Sequence, residues 1–147
     1  MKKNTSKNLM LLITLSFVIS LVACGKSEGD KEKKTTAKTE PVYKVSVEEI
    51  DPNIYPEDYP LIAFSDFETA FNKLKDGNMN AEIKNYQDVA DIMGVDGAYY
   101  ENCDLKYGED LYKYYGWYAD NGANVLITFK SKGDKLEYFA YTSNGIN

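Results

Sequence analysis

The sequence predicts an α+β domain in which two short helices pack on one face of a four-stranded antiparallel sheet, in the order ααββββ. Three observations carry this two-layer sandwich. Apolar residues recur with helical spacing twice between residues 65 and 94, the period changes to two from Gly97 onward, and turn-forming segments then follow at hairpin intervals. Helices followed by a meander can shield only one sheet face.

The first helix is read in "SDFETAFNKLKDG". Ser65 is placed to cap it, with Glu68 completing a capping box, and Phe67, Ala70, Phe71 and Leu74 make one apolar stripe. Gly77 supplies the expected stop. The second helix fits "NYQDVADIMG", with Asn85 as cap, Tyr86, Val89, Ala90 and Met93 as stripe, and Gly94 as the end. Eight or so residues are too few for an isolated helix, so packing must hold it. Strands are predicted at about 98–103, 111–119, 124–130 and 135–142, separated by "DLKYGED", "DNG" and "SKGD".

Ahead of this domain the chain opens with Met1, Lys2, Lys3 and Lys7 and then runs apolar from Leu9 to Ala23. At 1.5 Å per residue that run spans ~22 Å, short of the ~30 Å hydrocarbon core, so residues 1–23 read as a signal peptide rather than a spanning helix. It ends in "LVAC", Leu21 to Cys24. This resembles a bacterial lipobox, which implies lipid attachment at Cys24 and a mature chain starting there. Residues 24–41 lack any large apolar side chain beyond the anchor and are expected to be a disordered tether. Residues 42–60 carry "VYKVSV", a possible short strand, and then Pro52, Pro56 and Pro60, which predict an extended stalk. Residues 61–147 remain for one small domain.

Composition narrows the function classes. Loss of residues 1–23 would remove Lys2, Lys3 and Lys7 and no acid, taking the net charge from −6 to −9. That sign repels nucleic acid and anionic headgroups, so the expected membrane contact is through the lipid on Cys24 alone. All 17 basic residues are Lys, and with many Asn and Tyr this suggests an AT-rich genome and favours a Gram-positive source. The expected location is the extracytoplasmic face of the cell membrane.

With Cys24 lipidated, Cys103 has no intrachain disulfide partner, and Glu101 and Asp104 beside it raise its thiol pKa. It reads as a buried strand residue. The absence of His removes Ser-His-Asp and Cys-His nucleophiles and the usual zinc sites. Carboxylate pairs at Glu109-Asp110 and Glu101 with Asp104 leave a small hydrolase as the remote alternative. "DLKYGED" lacks the alternating ligands of a calcium loop. No cofactor or metal is expected.

The run "NYQDVADIMGVDGAYYENC" with "YYGWYADNGANVLITFKSKGDKL" resembles the repeat unit of the β-lactamase-inhibitor-protein-like fold, shared with small lipoproteins of the SmpA/OmlA type. The matching positions are Tyr86, Val89, Ile92, Gly94, Tyr115, Trp117, Val125 and Phe129, mostly core residues. The "NMNAEIK" link between the helices is longer than in that pattern. The resemblance implies protein binding or envelope assembly rather than catalysis, with an inhibitor-like protein that blocks a partner as the alternative.

The candidate site follows from register. Five of the eleven residues in "DLYKYYGWYAD", Asp110 to Asp120, are aromatic, at both odd and even positions. A two-residue Lys132-Gly133 turn would pair Phe129 with Leu136, Ile127 with Tyr138 and Val125 with Ala140. At "ADNGAN" a two-residue loop pairs Tyr118 with Val125, whereas a three-residue Asp120-Asn121-Gly122 loop pairs Trp117 with Val125. The three-residue loop is preferred because it buries Trp117 and Tyr115. The opposite face then holds Tyr112, Tyr114, Tyr118, Leu126, Phe139 and Tyr141, the expected surface for a protein partner. The competing reading is that the stalk folds back over that patch.

Overall fold

The computed structural model describes residues 40–146. The signal peptide, Cys24 and all but the last two residues of the tether lie outside them. The folded unit is α+β, with strand β1 (Tyr43–Val45), helices α1 (Phe64–Met79) and α2 (Tyr86–Met93), and strands β2 (Ala98–Tyr100), β3 (Leu105–Tyr107), β4 (Asp110–Tyr118), β5 (Asn124–Lys132) and β6 (Lys135–Asn144). The sheet has six strands and is mixed, which corrects the expected four antiparallel ones. Its order is β1-β2-β4-β5-β6, with β3 also paired to β4.

Two segments account for the extra strands. β1 lies in the supposed stalk and pairs in parallel with β2, Tyr43 opposite Ala98 and Val45 opposite Tyr100. β3 lies in "DLKYGED", where Leu105, Lys106 and Tyr107 alternate and pair with Tyr112, Leu111 and Asp110. Residues 42–60 are thus part of the fold. Pro52 lies in a turn closed by Ile54 N–H to the Asp51 carbonyl (3.0 Å), and Pro56 opens another closed by Tyr59 N–H (3.0 Å), so neither enforces an extended stalk. The chain then bridges Ala119 in parallel at Ile62 and crosses the end of β4 to start α1.

α2 forms as its letters predict. The Asn85 side chain accepts from the Gln87 and Asp88 N–H groups, Asp88 accepts in return from Asn85 N–H, and Gly94 ends the helix in the left-handed conformation. α1 departs from expectation at both ends. Its N-cap is Ala63, which makes no side-chain cap, and Phe64 N–H instead donates to Asp120 Oδ1 (3.0 Å) in the β4–β5 loop. Gly77 lies inside the helix, where a Cβ would stand 2.9 Å from Ile83 Cδ1, so it serves close packing rather than termination. Asp120→Ala is therefore expected to cost about 1 kcal/mol, lowering Tm by about 4–8 °C, while Ser65→Ala stays within about 0.5 kcal/mol. Thermal melts of the two variants read the difference, and a larger loss in Ser65→Ala than in Asp120→Ala would return the cap to Ser65.

The β4–β5 hairpin has the three-residue loop, with Trp117 opposite Val125 and Ala119 N–H donating to the Ala123 carbonyl (2.8 Å). The left-handed turn of this loop falls on Gly122, where side chains rarely sit. The β5–β6 hairpin differs from expectation. Lys132 pairs with Lys135, so Gly133 and Asp134 form the turn and Phe129 meets Tyr138. A bulge follows, because Thr128 pairs with Ala140 and leaves Phe139 without a partner. Beyond it Ile127 meets Tyr141.

The main core lies between helices and sheet, where Phe67, Phe71, Leu74 and Val89 meet Trp117, Val125, Ile127 and Phe129. A second, smaller core occupies the other sheet face, built on Val45, Tyr59, Ala98, Tyr100 and Tyr118.

Candidate functional site

The alternation of β4 sends Tyr115 and Trp117 toward the helices and Tyr112, Tyr114 and Tyr118 to the opposite, far face. The far face divides into two halves. At the β4 C-terminal end it is covered by residues 46–60, which corrects the exposure expected of Tyr118: it is only 2% exposed. The Tyr59 ring meets Tyr118 edge-on at 5.2 Å and Tyr55 lies at 5.0 Å. The Tyr100 and Tyr118 hydroxyls are 2.7 Å apart. Tyr100 Oη is 2.9 Å from the Asp51 carbonyl, and both hydroxyls are 3.2 Å from that of Ile54. The two phenol protons are thus shared between the hydroxyl–hydroxyl contact and the carbonyls of a main-chain turn, whose Asp51 carbonyl also accepts from Ile54 N–H. A Cβ on Gly116 would stand 2.2 Å from Tyr118 Oη, so the glycine makes room for the phenol to fold back over β4.

Tyr141 is the second correction. The bulge reverses the facing of β6 beyond Phe139 and turns Tyr141 to the helix side, where its ring meets Phe71 edge-on at 5.7 Å. A one-residue irregularity moves a side chain to the other face, and nothing local in "YFAYTS" announces it.

The remaining members stay together at the other end of the far face. Tyr112 and Phe139 are in edge contact at 5.1 Å, Phe139 is 60% exposed, and Tyr114 and Leu126 are half-buried at the border of the covered half. β3 adds two residues absent from the expected set, Leu105 (52% exposed, opposite Tyr112) and Tyr107 (77% exposed, opposite Asp110). The alternation within "LKY", between Asp104 and Gly108, was the signal for them. Asp110 holds Lys130 at 2.6 Å beside this strip.

Of the paired carboxylates, Asp110, Glu101 and Asp104 are engaged structurally, and Glu109 is exposed. Glu101 accepts from Ser46 Oγ (2.6 Å) and faces Lys44, while Asp104 accepts from the Tyr99 hydroxyl (2.8 Å) and lies 3.5 Å from Lys113. Among the described residues no three carboxylate or thiol groups gather as a metal site requires. Cys103 sits just past β2, its thiol directed to the Val47 carbonyl at 3.6 Å, and burial pushes its pKa up, with Asp104 and Glu49 adding to the rise. Such a thiol is a poor nucleophile. A depression of about 460 Å³ between the helices is lined by Asp76, Glu82, Asp88 and Asp91 with Lys73. Within it Asp88 is occupied in the α2 capping box, accepting from the Lys84 and Asn85 N–H groups.

Burial also raises many phenols. Tyr115 and Tyr138 are pushed up to about 12, and Tyr59, Tyr86, Tyr99, Tyr100 and Tyr118 are raised as well. The unfolded chain releases these protons near pH 10, so above that pH it binds fewer protons than the folded one and stability falls as pH rises. Cooperative unfolding is expected between about pH 10 and 12. Tyrosinate absorbance and circular dichroism should change together, and tyrosinate formed fully before the dichroism changes would contradict the burial.

Comparison with protein-family models, characterised proteins and solved structures finds no match to this chain.

Proposed function

We propose that the chain is a lipoprotein anchored through Cys24 at the extracytoplasmic face of a cell membrane, and that its folded unit is a non-enzymatic protein-binding or envelope-assembly module. The contact surface in this reading is the uncovered far-face strip of Leu105, Tyr107, Tyr112, Tyr114, Leu126 and Phe139. One observation carries it: Leu105, Tyr107 and Phe139 are exposed on one face, with the half-buried Tyr112 packed on Phe139, while their neighbours on the same face are buried. Tyrosines offer large contact area at low entropy cost. The ion-paired carboxylates and the His-free composition favour binding over catalysis. The "LVAC" segment motivates the anchor, and the resemblance to envelope lipoproteins agrees with both parts.

The test uses full-length protein in its native envelope. A clickable fatty acid should label the wild type and not Cys24→Ala, which should leave the membrane fraction or persist as precursor. Interface aromatics contribute ~2 kcal/mol or more each when they are hot spots, so Tyr112→Ala with Phe139→Ala should weaken partner capture about a hundredfold or more while circular dichroism stays unchanged. An unlabelled wild type would overturn the anchor, and an unchanged crosslinking profile would overturn the surface.

A further inference from the structure

We propose that the uncovered half of the far face holds an irregular, proline-containing segment of the partner protein through phenol–carbonyl hydrogen bonds and ring packing. This rests on the protein-binding reading above and names the class of ligand. The covered half of the same face already holds such a segment, from this chain itself. Residues 51–60, "DPNIYPEDYP", contain three prolines, each without an N–H, so the segment has more carbonyls than donors to match them. The Asp51 carbonyl, which already accepts from Ile54 N–H in its turn, also takes the Tyr100 hydroxyl at 2.9 Å, and the Ile54 carbonyl has the Tyr100 and Tyr118 hydroxyls at 3.2 Å. Tyr59 and Tyr55 supply the ring contacts.

The uncovered half continues that surface without a break. Tyr114 and Leu126 border the covered part, and Tyr112, one step further along β4, reaches Phe139. The hydroxyls of Tyr107, Tyr112 and Tyr114 make no hydrogen bond to any described residue, so this half of the face carries three phenol donors, one of them on the Tyr112 ring that packs against Phe139. A helix or an inner strand spends its carbonyls on its own ladder, whereas an irregular proline-containing segment leaves them available to such donors. Rings that cover apolar side chains while a polar tip meets the backbone are the recognition mode of aromatic grooves for proline-rich segments.

The experiment adds a peptide with the sequence of residues 51–61 to isotopically labelled full chain in detergent micelles, alongside the same peptide with its three prolines replaced by Ala. Expected are saturable amide shifts at Leu105, Tyr107, Tyr112, Tyr114 and Phe139, with clearly weaker binding of the Ala peptide. Tyr112→Phe and Tyr114→Phe should each weaken binding about three- to tenfold without change in circular dichroism, one hydroxyl being lost in each. No saturable shifts, equal binding of both peptides, or shifts confined to Tyr100, Tyr118 and residues 46–60 would each overturn the proposal. A photocrosslinker at position 139 in intact envelopes separates this from the underlying reading. Protein crosslinks without peptide binding would remove only the ligand class, and the absence of protein crosslinks would remove the protein-binding surface itself.

Discussion

Trp117→Ala is expected to destabilise the folded unit by about 3–5 kcal/mol, a large part of the ~5–15 kcal/mol that holds a domain of this size. Trp117 is fully buried between the sheet and the helices, and its indole N–H donates to the Val95 carbonyl at 3.0 Å. Its ring fills the space that Gly97 leaves open, where a Cβ would stand 2.6 Å from Cη2. Truncation therefore opens a cavity between Gly97 and the Tyr86 and Tyr115 rings and takes the indole donor from the Val95 carbonyl at once. Denaturant unfolding of the wild type and variant measures the difference. A loss below about 1 kcal/mol would mean that the ring is not in the core.

Tyr118→Ala should come next, at about 3 kcal/mol or more, and should act locally as well as globally. The ring is the floor under residues 46–60, in contact with Tyr55 and Tyr59, and its hydroxyl bonds to Tyr100. Removing it should loosen that segment and β1, whose own pairing with β2 spans only three residues. Amide exchange at residues 43–62 is expected to accelerate more than exchange at β4–β5, in keeping with sub-global opening. Tyr118→Phe keeps the ring and should cost about 1 kcal/mol. If exchange in residues 43–62 were as slow in Tyr118→Ala as in the wild type, β1 and Tyr59 would be holding the segment without Tyr118.

These two residues are neighbours in sequence and lie on opposite faces, and they mark where the sequence sufficed. Alternation put Trp117 and Tyr118 on different faces, and the preference for burying the single Trp selected the three-residue loop that the structure has. It did not say that the far face would be covered over one half only. For that the partner had to be known: a segment about sixty residues earlier, whose prolines read locally as a stalk.

What the sequence determined by itself was the chemistry closed within a few residues: the Asn85–Asp88 capping box, the Gly94 terminus and the strand period. Each depends on groups close enough along the chain to find one another whatever the rest does. Tertiary structure alone decided the parallel β1–β2 pairing, the capping of α1 by Asp120, the bulge that turned Tyr141 inward, and the burial of Tyr118 beneath residues 46–60. In each of these, a backbone or side-chain group had several chemically adequate partners. The choice among them was made by packing the whole sheet, where burying Tyr100, Tyr118 and Tyr59 together outweighed leaving the proline segment in water.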